Sequence, residues 1–429
     1  MKRLATISVI SVLLLATLLG ALPPRLAQAG NTADYEPGQI VVRLAPLLDN
    51  DILGINRAYG TTTIASLPHH PDVFLLQTPL GVDAEQLLQV MAGDVRLLYA
   101  ELNYINENPE DGSTDRIYGW GGSDSTPMKT QDSAETMHLE AAQNMSRGEG
   151  TIVAVLDTGA QMDHPALANS LDILGYDFVD DDRTPEDEAN GLDDDDDGRV
   201  DEMYGHGTHV AGIVHLVAPE ATITPLRVLN SDGRGNNFRT ATAIVYAAQR
   251  GANVINLSLG TPHRSALLRD VVDEAARLGI VVVVAAGNLN TDTKQYPAAE
   301  ACAIAVTSVN DKDKKSSFAN YGDWIGVAAP GENIYSTFPV NGYAWWSGTS
   351  MSTPFVAGQA ALLRSANPWL TLDEIGLLIG GTADSLDNAN PKYRGLLGEG
   401  EINILAGLEY QAANTWPASE HNLFAGCNR

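Results

Sequence analysis

An α/β fold is predicted from about residue 131 onward, with a doubly wound, mostly parallel sheet and helices on both of its faces. Three observations predict it. Short β-branched runs alternate with longer stretches of helical period. Some of the runs are apolar throughout, as in Ile280-Val281-Val282-Val283-Val284, which suits a strand covered on both faces. Polar residues of chemical interest fall at or just past the carboxyl ends of these runs, where open α/β sheets hold their sites.

The chain opens on Lys2 and Arg3, an apolar run to about Leu22 and a small-residue exit at Ala27-Gln28-Ala29. This is the pattern of a removable secretory leader over residues 1–29. A retained anchor is the alternative; the cleavable exit and the lack of a second long apolar span count against it. The protein is therefore expected to be exported, with no stable membrane anchor after leader removal.

Residues 30–105 read as a small α+β module. Pro37–Leu44 reads as a strand entered from a turn, Val82–Met91 carries a helical period, and Val95–Glu101 reads as a returning strand. From 106 to 130 the composition turns to Asn, Asp, Gly, Ser and Pro without an apolar period, as in a linker with a processing region. The body is then 131–429. Its strands are expected at Thr151–Leu156, Thr222–Leu229, Asn253–Leu259, Ile280–Ala286 and Cys302–Val309. Its helices are expected at His206–Val217, Arg239–Arg250, Ser265–Leu278 and Ser350–Ala366.

A formal net charge of −28 argues against nucleic-acid partners and anionic membranes, and favours cation binding. The two cysteines, Cys302 and Cys427, exclude a disulfide-dense scaffold. An exported protein could join them, and the sequence leaves that open. Neither has a second cysteine or a histidine at zinc-ligand spacing.

Four residues supply complementary chemistry. Asp157 follows the first body strand, His206 opens a helix in Gly205-His206-Gly207-Thr208-His209, and Asn288 follows the run ending at Ala286. Ser350 stands at a helix start in Gly348-Thr349-Ser350-Met351-Ser352-Thr353-Pro354. A serine hydroxyl is a weak nucleophile alone. An imidazole must take its proton, and a buried carboxylate must fix the imidazole's tautomer. Asn288 and the backbone N–H of Ser350 can donate to an oxyanion. Any one of these residues read singly could be a cap or a structural side chain.

The order Asp, His, Asn, Ser and the segments around all four resemble the subtilisin-like serine peptidases, from about Met137 to Leu408. The resemblance implies the catalytic roles above, and it chooses His206 over His209. It implies that Gly233-Arg234-Gly235 and Ser258-Leu259-Gly260 are the two edges between which an extended polypeptide substrate lies, and that Gln295 and Leu289 line the pocket for the residue before the cut. It further implies that the first module is a propeptide, an intramolecular inhibitor removed by the enzyme itself. The working enzyme is expected to be a monomer.

The acidic run Asp193-Asp194-Asp195-Asp196-Asp197-Gly198-Arg199-Val200-Asp201 precedes His206. Asp193, Asp195, Asp197 and the Arg199 carbonyl fall at alternate positions with Gly198 at the turn, as in an oxygen-ligand calcium loop, with Asp201 as the closing ligand. A solvated loop is the alternative. Relative to the family pattern, Ala166 stands where a ligand of a different calcium is expected, and Ser352 and Phe355 stand where Ala and His are usual. The expected protein is thus a secreted serine endopeptidase working through an acyl-enzyme. A peptide ligase on the same scaffold and a non-enzymatic calcium-stabilised binding protein are the alternatives.

Overall fold

The computed structural model describes residues 34–46, 51–110 and 118–427. The leader expected over residues 1–29 lies outside them. The body is built on a seven-stranded sheet ordered Val327–Pro330, Ala303–Val309, Val281–Ala285, Val254–Leu257, Ile152–Asp157, Thr222–Arg227 and Tyr176–Asp177, with every pair parallel. From Ile152–Asp157 the chain adds strands first on one side and then on the other, so the strand order reverses between it and Val254–Leu257. Asp157 and Ser258 stand at the carboxyl ends of these two strands, at the switch point.

The five expected strands and four expected helices of the body are present, with ends shifted by two residues or fewer. Helix His206–Val217 and helix Thr349–Ala366 are buried almost throughout, as their small-residue, apolar sequences require. They cross closely: a side chain at Gly358 would begin 2.5 Å from Val217 Cβ. Pro354 lies inside the second helix and offers no N–H to the carbonyl of Ser350, four residues earlier. That carbonyl accepts instead from Ser258 Oγ at 3.1 Å.

The first module forms an antiparallel sheet of Thr62–Ser66, Val73–Gln77, Tyr35–Leu44 and Leu97–Glu107, with helices Ile52–Tyr59 and Ala84–Met91. Period-two alternation divides its strand residues between two cores. Ile40, Val42 and Leu44 pack with Ile55, Leu76, Leu87 and Met91, while Val41, Leu67, Val73 and Leu75 join the core of the body. Glu101 extends the junction by accepting from Ser265 Oγ at 2.6 Å and the Ala266 amide at 2.7 Å, at the start of helix Ala266–Arg277.

The stretch 106–130, expected to be a linker with a processing region, contains regular structure among its described residues. Tyr118–Gly122 is a strand paired with Gly342–Trp346, which also pairs with Ile334–Phe338, and Thr126–Thr130 is a short helix. Cys302 and Cys427 are joined in a disulfide with a Cα–Cα distance of 4.7 Å. Among the described residues no helix is long and apolar enough to cross a membrane.

Candidate active site

Helix His206–Val217 can approach the Asp157–Gly159 turn because Gly207 has no side chain. A Cβ there would lie 2.1 Å from the Gly159 carbonyl oxygen. The approach sets His206 Nδ1 2.6 Å from Asp157 Oδ1, with both side chains fully buried. Asp157 Oδ1 also accepts from the Thr158 amide at 2.8 Å. Asp187 was not anticipated from sequence. Its buried carboxylate accepts from the Gly205 and Thr208 amides and Thr208 Oγ1, so it caps the helix that carries His206. Burial pushes its carboxyl up to about 6.

His209 faces elsewhere. Its Nε2 donates to the carbonyls of Ile334 and Ala344 at 3.1 Å, and burial pushes its pKa down to about 3, so it stays a neutral donor. For His206, burial acts first and would lower the pKa. The charge and hydrogen bond of Asp157, and then Glu110, outweigh burial and push it up to about 10.

Ser350 lies in the first turn of its helix. Asn288 is oriented by its Oδ1, which accepts from the Thr349 amide and from Thr349 Oγ1, both at 3.0 Å. Its Nδ2 is thereby left to donate to the same acceptor position as the Ser350 amide. No pattern in the sequence signals what fills this space. Glu110, only 3% exposed, places Oε1 2.9 Å from Asn288 Nδ2 and 3.4 Å from the Ser350 amide. Its Oε2 accepts from Ser350 Oγ at 2.7 Å and lies 3.3 Å from His206 Nε2. Among the described residues Ser350 Oγ makes no hydrogen bond to His206. The carboxylate stands between them.

The chain leading to Glu110 fills the cleft. Ile105, Asn106 and Glu107 pair antiparallel with Asn236, Gly235 and Arg234, and the Asn108 amide donates to the Gly233 carbonyl at 3.1 Å. On the other side Glu107 and Gly260 exchange both backbone hydrogen bonds at 3.0 Å, while Asn108 Nδ2 donates to the Ser258 carbonyl at 2.7 Å. The two edges anticipated from sequence thus hold one extended strand, and Leu259, in the second edge, is buried. Gln295, 8% exposed, has carbons 3.8 and 3.1 Å from the Cβ positions of Gly260 and Gly287. Its Nε2 is buried without a hydrogen-bond partner. Leu289 is exposed, its amide held by Asn320 Oδ1 at 3.0 Å.

In the acidic loop, Asp193, Asp195 and Asp197 bring carboxylate oxygens within 4.8 Å of one another. Asp201 does not join them: its carboxylate accepts from the amides of Asn190 and Gly191, across the loop. The Arg199 guanidinium pairs with Asp197 and approaches Glu202. Glu202 and Asp232, both buried, stand beside the cluster. Both Glu202 oxygens lack a hydrogen-bond partner, and burial, followed by the charges of Asp232, Asp197 and Asp195, pushes its carboxyl up to about 8.

The subtilase family profile matches residues 148–400, and the fervidolysin N-terminal prodomain profile matches residues 21–103. Thermitase of Thermoactinomyces vulgaris is 40% identical over 279 residues, covering 63% of this chain and 92% of that one. A thermophilic serine proteinase of Bacillus sp. (strain AK1) is 35% identical over 339 residues, 76% of this chain and 77% of that one. The crystal structure of fervidolysin from Fervidobacterium pennivorans, described as a keratinolytic enzyme related to subtilisin, aligns with a TM-score of 0.70 at 25% identity. That alignment covers 89% of this chain and 62% of fervidolysin.

Proposed function

The chain belongs to the subtilase family and is a serine endopeptidase with an N-terminal prodomain, and from that premise we propose that it cuts polypeptides through an acyl-enzyme on Ser350. In this reading His206 Nε2 takes the Ser350 proton as Oγ bonds to the scissile carbonyl carbon. Asp157 holds the imidazole in place and balances its charge. Asn288 Nδ2 and the Ser350 amide bind the oxyanion. His206 then returns the proton to the leaving amine, and water repeats the sequence to release the acid. The observation that carries this reading is an anion, the Glu110 carboxylate, already held by Asn288 Nδ2, the Ser350 amide and Ser350 Oγ, beside an imidazole 2.6 Å from Asp157.

The prodomain in the cleft supports self-processing, with residues 30–105 as the inhibitory module, 106–130 as the segment in which it is cut away, and 131–429 as the peptidase body. The leader supports export. The Ser350→Ala precursor is expected to stay intact and to reach the culture medium without its leader, as seen by intact mass. Spontaneous loss of the prodomain in that variant would overturn self-processing, and retention inside the cell with residues 1–29 attached would overturn export. A site complete within one chain supports a monomeric working unit, checked by the solution mass of the processed enzyme.

Gln295 narrows the pocket for the residue before the cut and adds polarity, with Leu289 at its rim. Small or polar side chains are therefore expected to be favoured there, and a peptide panel that strongly prefers large aromatic residues would overturn the assignment. Calcium is the cation proposed for the acidic loop. Carboxylates about 4 Å apart repel by roughly 1 kcal/mol per pair even at the dielectric of water, and a hard, oxygen-only donor set suits calcium. The carboxylates of Asp193, Asp195 and Asp197 and the Arg199 carbonyl would hold it. With Asp201 engaged by backbone amides, Glu202, whose buried carboxyl oxygens have no hydrogen-bond partner, is the better closing ligand.

A further inference from the structure

We propose that Glu110 is an internal plug, whose side-chain carboxylate takes the place of the oxyanion and keeps the uncut precursor from attacking its own tail. The inference rests on the reading of Ser350 as nucleophile and adds how that nucleophile is held idle.

Backbone register defines where the plug begins. Glu107 exchanges both hydrogen bonds with Gly260, so an antiparallel strand continued for two more residues would bring Pro109 opposite Ser258. Any other residue at this position would offer the Ser258 carbonyl an N–H. Proline has none. The carbonyl is satisfied by Asn108 Nδ2 instead, and the substrate-like ladder stops one residue before the reacting groups. The chain then turns the side chain of Glu110, rather than a peptide carbonyl, toward Ser350.

Four groups are disabled together. Asn288 Nδ2 and the Ser350 amide already donate to Glu110 Oε1, so no oxyanion can form against them. The hydroxyl of Ser350 donates to Glu110 Oε2 and not to the imidazole. His206 lies between two carboxylates, with Asp157 at Nδ1 and Glu110 at Nε2, an arrangement that favours the imidazolium and removes the base. The pocket fits the group closely: a Cβ on Gly348 would stand 1.6 Å from Glu110 Oε1. Processing requires Glu110 to leave and a carbonyl to enter where it was.

The test uses the full-length precursor, as wild type and as Glu110→Ala and Glu110→Gln. Two rates are measured: early labelling of Ser350 by a small fluorophosphonate, and loss of intact precursor at concentrations where that rate is independent of dilution. Glu110→Ala is expected to raise both by about ten- to a hundredfold, the equivalent of one charge-assisted hydrogen bond. Glu110→Gln should fall between, since it keeps the shape but not the charge facing His206. If Glu110→Ala does not fold, Glu110→Gln alone decides the matter by the same rates. Wild-type or slower rates in the folded variants overturn the plug. Absence of label in every precursor, with Ser350 unmodified after long exposure, overturns the reading of Ser350 as nucleophile and the plug with it.

Discussion

Burial sets the charge state of several side chains in this protein, and Glu401 is one whose effect can be read in solution. Its backbone pairs with Asp384, and its carboxyl is pushed up to about 8 by burial first and then by the charge of Asp313. The folded state therefore holds this proton more tightly than the unfolded chain does. The stability it contributes is complete below the usual glutamate value of 4.5 and is lost as the pH rises through about 8. Glu401→Gln carries no such proton. Its melting temperature should match wild type near pH 5 and exceed it by a few degrees near pH 9; a gap that does not widen between those values would refute the assignment. At this scale some residues are announced by their sequence context and others are not. Asp157, His206, Asn288 and Ser350 sit in distinctive small-residue contexts because backbone must approach closely there, as at Gly207. Glu110 sits in a polar stretch with no period, and its role comes from a register set by residues 105–108. Asp187 is likewise invisible in sequence, because the helix it caps begins nineteen residues later.

The acidic loop is the element whose identity most depends on something other than the chain. Calcium at a hundred times its dissociation constant would stabilise the fold by about 2.7 kcal/mol, which in a chain of this size amounts to a shift of roughly 3 °C. A chelator is expected to lower the melting temperature by that much, and Asp195→Asn to blunt the response. An unchanged melting temperature in the chelator would sink the calcium assignment. Elements with a clear hydrophobic period were legible with ends close to those observed, helix His206–Val217 among them. Strand Tyr118–Gly122 was not. Three of its five residues are glycines, and Gly121 must be one, since a Cβ there would lie 2.2 Å from the Tyr335 ring. Tyr118 and Trp120 pack against Phe338, an alternation only two side chains long and set among glycines, too short to read as a strand.

Over the whole molecule, the doubly wound sheet was legible because its central strands are apolar on both faces and separated by helical periods. The way the prodomain shares its strands between two cores was not, because alternation announces a buried face without saying what buries it. The disulfide between Cys302 and Cys427, 125 residues apart, was open for a similar reason: pairing is a property of distance in space. One consequence follows from the two edges that hold residues 105–108. Once the prodomain is gone, Gly233–Gly235 and Ser258–Gly260 are left as two lines of main-chain donors and acceptors, nearly blind to side-chain identity. They can be completed only by a guest segment that has given up its own sheet or helix. Such a cleft responds less to what a target protein spells than to how often it locally unfolds, so its choice among native proteins would follow their breathing motions.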